Sequence, residues 1–493
     1  MAFSTETKDY FFNLPRPQYP PPSEVLISSL VWELVGSTFK GSDKGIIYKK
    51  TDNAKRFDSF QTNPLDNKKK IDQLINVFGK HFSVTEKAHA ERAVRILVED
   101  MVGNIPPKAN SAALIPLNDS AALMQDVKGM TGLKNPPNFA EIFQSFYSLG
   151  GGESSVGLPV YNALKSHKIN EKASWLDDFI DSMMPDELKE FRKQIDSNIE
   201  LGLNSDRKVP VWLLNFDTPY SWFSKTWQNL MSPDWVNAMP RRRWVDWAGC
   251  VLRTAIGAGY LFEMNFYYQL VRGLKGNDSA IDIQNRALSV HSPILTWDES
   301  SSISSRDVSS KIRKLVERGT ASRNLLNDWI RDDEMANFPK PEAYRTSESG
   351  LQQWIQETRS WLVTDKQRRQ ESNTQLNEAI SGIASSSANN MYETIRYSLL
   401  DRAGHGESDL YALMKKRGSR YTLVEPGHEW FVVISSLTAS SPDSRINVRD
   451  LVQSLSSLGI DANFKTIIRN IESVGLGRSS HDADDAVEIA TAF

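Results

Sequence analysis

Cysteine is almost missing from this chain: Cys250 is the one residue of its kind in 493. No intramolecular disulfide can form, and thiolates cannot build a zinc site. Such usage fits a reducing cytoplasm, which is the expected location. Histidine is sparse too, at His81, His89, His167, His291, His405, His428 and His481. No two of them stand four apart on a helix face, and none falls in H-E-x-x-H, so neither a metal nor another cofactor is expected. An excess of one charge is also missing. The 58 Lys and Arg against 61 Asp and Glu leave a net charge of −3. A dedicated nucleic-acid binder carries a basic excess across its domain, so any DNA contact here must be a local patch.

Long uncharged runs are missing as well. The greasiest stretch, Trp247 to Leu270, is broken by Arg253 and Glu263, with Asp246 just before it. Its longest uncharged piece, Thr254 to Phe262, falls well short of the roughly 20 residues that span a bilayer, so no membrane partner is expected. The start, MAFSTETKDYFFNLPRPQYPPP, has no basic segment followed by an apolar run and does not read as a secretory signal.

What the stretch does carry is helical spacing. Trp247, Val251, Ala255, Ala258, Phe262, Phe266 and Leu270 step by three and four. Leu252, Ile256, Leu261 and Tyr267 make the other faces apolar too, so this reads as the central helix of a bundle. Gly249, Gly257 and Gly259 cost about 1 kcal/mol each in a helix and are tolerable where neighbouring helices come close. Just upstream stand Arg241, Arg242, Arg243 and Trp244, part of a cluster with Trp212, Trp222, Trp227, Trp235 and Trp247. The preferred reading puts the tryptophans in the core and the arginines at a helix start. The alternatives are a protein-docking surface, where Trp and Arg are favoured anchors, and a stacking platform for single-stranded nucleic acid.

Elsewhere the punctuation is mostly helical. Residues 1–25, with Pro15, Pro17, Pro20, Pro21 and Pro22, read as an arm or a surface-hugging segment. A first helix from Val25 gives way to a short strand, GIIYKK. Helices follow at Lys68–Phe78, at Ser83–Val102 with a Ser83/Glu86 capping box, and at Asn138–Leu149; Pro106 and Pro107 end the second. The glycine-rich run Gly150 to Gly157 fits neither a Walker loop nor G-x-S-x-G and reads as a hinge or turn. Pro185, Asp186, Glu187 and Lys189 mimic a nuclease pattern but fit a helix start better. Lys275 to Asp298 reads as loop. The next helices begin basic (Lys311, Arg313, Lys314, Arg318) and end acidic (Asp332, Asp333, Glu334), against the helix dipole. Ser349 to Ile383 is a helical tract, and IASSSANN a weak linker.

The last ninety or so residues are the best-defined module. A strand at Tyr421–Val424 precedes helices at His428–Ala439, Val448–Leu458 and Asn463–Ser473, the last burying Phe464, Ile467, Ile468 and Ile471. A polar loop with His481, Asp482, Asp484 and Asp485, read as a turn, leads to a strand, AVEIATAF. Helix, helix, short turn, helix, hairpin resembles a winged helix. In DNA-binding members the third helix enters the major groove, which here would present Lys465 and Arg469, with Lys415, Lys416, Arg417 and Arg420 as phosphate contacts.

The expected fold class is mainly α: a multi-domain helical protein with a C-terminal winged-helix-like α/β module. Its parts are a Pro-rich arm (1–25), a helical domain (26–205), a Trp-rich helical domain (206–400) and the C-terminal module (402–493). No catalytic signature stands out. The expected role is a non-enzymatic structural or adaptor subunit with other protein subunits as partners and DNA as a second candidate partner. Such chains loosely resemble accessory subunits of bacterial multi-gene systems, including those that defend against phage. The alternatives are a metal-dependent nuclease without a motif, or a sequence-independent DNA binder.

Overall fold

The computed structural model describes the chain except residues 1–10, 13, 18–19, 35–45, 51–54, 60–67, 84–85, 102–110, 126, 128–138, 171–173, 185, 199–208, 290–294, 332–336, 365, 403–407, 419 and 479–486. Several sequence expectations therefore lie outside the described residues: Pro106 and Pro107, Pro185, the acidic run Asp332 to Glu334, His291, His405 and the His481–Asp485 cluster.

The fold is mainly helical. The first part contains α1 (Ser23–Glu33), β1 (Ile46–Lys50), β2 (Lys55–Ser59), α2 (Lys68–His81), α3 (Lys87–Asp100), β3 (Ser111–Ala112), α4 (Asp119–Met124), α5 (Phe139–Leu149), α6 (Leu158–Asn170), α7 (Ser174–Met183) and α8 (Asp186–Asn198). The middle contains α9 (Val211–Leu214), α10 (Pro219–Leu230), α11 (Pro233–Ala238), α12 (Arg241–Lys275), α13 (Ala280–Leu288), β4 (Leu295–Trp297), α14 (Ile303–Arg306), α15 (Ser309–Arg331), α16 (Gly350–Val363), α17 (Lys366–Ser381) and α18 (Ser386–Leu399). The end contains β5 (Met414–Arg417), β6 (Tyr421–Val424), α19 (His428–Thr438), β7 (Ile446–Asn447), α20 (Val448–Ser457), β8 (Ile460–Ala462), α21 (Phe464–Ser473), β9 (Gly477–Arg478) and β10 (Glu488–Ile489). The sheets are small: β2-β1-β3, β7-β10-β9, a parallel β4-β8 pair and the β5-β6 hairpin.

The 35-residue helix α12 is the axis of the molecule. It packs against α1, α10, α13, α15, α17, α18 and α19, and no helix of the described residues is long and apolar enough to cross a membrane. Its apolar residues on every face are buried because neighbours lie on every side. Close approach explains its glycines. A Cβ at Gly257 would stand 2.4 Å from Leu399 Cγ of α18. The α15 side of the contact uses the same device: a Cβ at Gly319 would meet the Met264 carbonyl oxygen at 2.4 Å.

Both charges inside α12's apolar run are compensated, as burial requires. Glu263 lies 3.4 Å from Arg323 on α15. Arg253 pairs with Asp409 at 2.8 Å and donates to the carbonyls of Ser398 and Leu400. The helix's last carbonyls are held too: Arg359 on α16 donates to the oxygens of Gly273 and Gly276 at 2.6 and 2.7 Å.

Some boundaries differ from the sequence reading. Lys275–Asp298 is not all loop. Ser279 accepts the Asp282 N–H as an N-cap, and α13 folds Ile283 against Gly273. The helix expected from Ser83 starts a turn later, where the Glu86 carbonyl accepts from His89 and Ala90. The tract 349–383 breaks at Thr364 into α16 and α17, and α18 begins inside the expected linker because Ser385 caps it. The glycine run is a tight turn: Gly150, Gly151 and Gly152 close the end of α5 by hydrogen bonds to Phe146, Ser148 and Tyr147, with Gly151 at φ +88°. The expected arm is not on the surface at Phe11, Phe12 and Leu14, which are 1–2% exposed.

Candidate partner-contact surfaces

Each member of the basic triplet is committed to a different partner. Arg241, the first residue of α12, is buried. Its two terminal nitrogens donate to Asp177 of α7 at 2.7 and 3.1 Å, and Nη2 also donates to the His167 carbonyl of α6 at 3.3 Å. Asp177 accepts a further hydrogen bond from Asn118, the N-cap of α4. Arg242 folds back on Asp246 of its own helix at 2.9 Å, and Arg243 crosses to Glu429 of α19 at 2.7 Å. Trp244 is 0% exposed; its Nε1 donates to the Leu230 carbonyl and its ring meets His167 edge-on at 5.5 Å. The other five clustered tryptophans are buried as well. A base cannot reach an enclosed ring, so this cluster forms core and helix start rather than a stacking platform.

Burial shapes the chemistry here. The His167 imidazole is pushed down to about 4, first by desolvation and then by the Arg241 charge, and its Nε2 meets no acceptor or donor among the described residues. Burial likewise drives the Cys250 thiol up, which keeps it protonated and a poor nucleophile. Among the described residues, no group of three or more His, Cys, Asp or Glu is placed to hold a metal ion.

The remaining predicted residues fall in one region. Lys415, Lys416 and Arg417 lie on β5, and Arg420 follows the Gly418 turn, where φ is +63°. Lys416, Arg417 and Arg420 are exposed, while Lys415 is half-buried. β6 of this hairpin touches β4, and β4 pairs with β8, the strand leading into α21. The chain thus brings the hairpin strand β6 and the strand that leads into the Lys465/Arg469 helix both against β4. Acids temper the patch. Arg417 donates to Glu425 at 2.8 Å, and Arg469 pairs with Glu299, just past β4. Asn463 N–H also donates to the Trp297 carbonyl at 2.9 Å. At the other end of the middle region, Arg313 stacks over the Tyr392 ring at 4.0 Å.

Sequence reasoning missed two features of this surface. Phe464 was expected in the core, yet it is 43% exposed. It is the first residue of α21, one turn before the positions Ile467 and Ile471 that face inward. Glu299 gave no signal, because its partner lies 170 positions away in the chain. The module itself is clamped to the rest by its other helices. Trp430 Nε1 donates to Thr254 of α12 at 2.9 Å. Asn229 of α10 donates to the carbonyls of Leu437 and Ala439, both at 3.1 Å, and Gln453 of α20 donates to Asp217 at 3.0 Å. No protein-family model matches this chain, and no curated protein matches its sequence.

Proposed function

We propose that this chain is a non-enzymatic adaptor subunit of a larger assembly and that its C-terminal module is a winged helix that docks a protein partner. Helix α19, strand β7, helix α20, a turn at Gly459, helix α21 and the β9–β10 hairpin follow in that order, and β10 lies between β7 and β9. That arrangement supports the winged-helix reading. The observation that carries the docking role is the outer face of α21. There an exposed aromatic, Phe464, stands beside exposed Lys465 and Arg469, while α19 and α20 face the body of the protein. An apolar anchor flanked by cations is the chemistry of a protein interface. DNA is less well served, because Arg417 and Arg469 already hold carboxylates.

A photo-cross-linking amino acid at Phe464 is expected to trap one discrete protein in the native host, and the same probe at Ile281 of α13 is not. Retardation of duplex DNA by the purified chain, with a steep salt dependence and loss in a Lys416→Ala, Arg420→Ala, Lys465→Ala variant, would replace the protein partner with DNA.

A further inference from the structure

We propose that Phe11, Phe12 and residues 14–17 are a peptide ligand bound in cis, and that the groove they fill beside α12 is a binding site for a partner peptide with two adjacent aromatics, one further residue and then Leu-Pro.

Residues 14–17 form neither helix nor strand, and Phe11 and Phe12 lie in a turn. Their main chain is held by side chains from distant parts of the sequence. Arg345 Nη2 donates to the Phe11 carbonyl at 3.2 Å, Arg323 Nη2 to that of Leu14 at 3.3 Å, and the Tyr260 hydroxyl to that of Pro15 at 2.9 Å. The two aromatics are the anchors. Phe11 meets Trp354 edge-on at 5.0 Å, and Phe12 meets Phe266 at 4.6 Å. Aromatic anchors in pockets, with side-chain donors on the carbonyls of an irregular Pro-containing segment, are how grooves read extended peptides.

The groove walls are fixed by bonds that do not involve the segment. Trp354 Nε1 donates to the Pro339 carbonyl at 2.9 Å, and the ring of Trp212 stacks on Phe266 at 6.0 Å and 4°. Tyr220 donates to the Gly259 carbonyl at 3.2 Å, and Arg323 is also held by Glu263. The site is therefore preorganised, and its occupant is one segment among those that could fit. Tethering gives the cis segment an effective concentration of order millimolar, which hides the site from a competitor until the cis anchors are weakened.

The test uses the full chain carrying Phe11→Ala and Phe12→Ala, titrated with a fluorescein-labelled peptide spanning Lys8 to Pro17. Saturable binding is expected, at least about 100-fold tighter than to the unmodified chain, whose groove is occupied. Adding Arg345→Ala and Tyr260→Phe to the groove should abolish it. A folded double variant that fails to take up the peptide, or takes up a scrambled peptide equally well, overturns the proposal. So does a double variant without a cooperative unfolding transition, because the groove would then not exist apart from its occupant.

Discussion

Replacing Arg241 with alanine is expected to cost about 3–5 kcal/mol of stability, the range for breaking a buried ion pair by removing one partner. Both side chains of the Arg241–Asp177 pair are 3% exposed. Truncating the arginine leaves the Asp177 carboxylate enclosed, with Asn118 as its remaining neutral donor. It also removes one of the links between α12 and α6 and the ion pair to α7. A urea titration measures the loss directly. Arg242→Ala is the control from the same triplet. Its pair with Asp246 is a half-exposed contact within one helix, worth under about 0.5 kcal/mol. The double variant Arg241→Met, Asp177→Leu should recover most of the loss, because a well-packed apolar pair replaces the ions. Equal, small effects at Arg241 and Arg242 would mean that the triplet is a surface patch after all.

Acid is expected to loosen the same corner of the fold. His167 titrates near 4 in the folded chain against an ordinary 6.5, because burial and Arg241 disfavour its charge. The unfolded chain therefore binds this proton more readily than the folded one. The contribution to stability is complete above pH 6.5 and is lost as the pH falls from there through 4, reaching about 3 kcal/mol. Carboxylates titrate in the lower part of that window, so the informative quantity is a difference. His167→Phe keeps an aromatic ring against Trp244 and removes the proton. Stability of the native chain should fall relative to this variant between pH 6.5 and 4, and the two curves should run parallel above 6.5. Parallel curves throughout would show that the imidazole is hydrated or paired.

The parts of the fold that were legible in the sequence are those set by local repetition. The apolar steps from Trp247 to Leu270, with apolar residues on the intervening faces, are enough to require an enclosed helix. The glycines within it announced close neighbours, and Gly257 against Leu399 is one. What could not be read is long-range pairing. Nothing near Arg241 points to Asp177, 64 positions upstream. The three-residue strands β4 and β8 are too short to alternate, so the contact that joins the basic hairpin to α21 left no pattern. Phe11 and Phe12 sit among prolines with no period, and the side chains that donate to the carbonyls of Phe11, Leu14 and Pro15 come from more than 240 residues away. The module's surface was partly legible: Lys465 and Arg469 face outward as spacing predicted. Phe464 was misjudged because amphipathic spacing says little about a helix's first residue.

Native-state hydrogen exchange along α12 tests the scaffold most directly. If this helix is the enclosed axis on which the other elements depend, its amides from Thr254 to Val271 should exchange only through global unfolding, with one shared free energy that drops in step with the Arg241→Ala loss. Exchange of those amides through local openings, well below the global unfolding free energy, would contradict it.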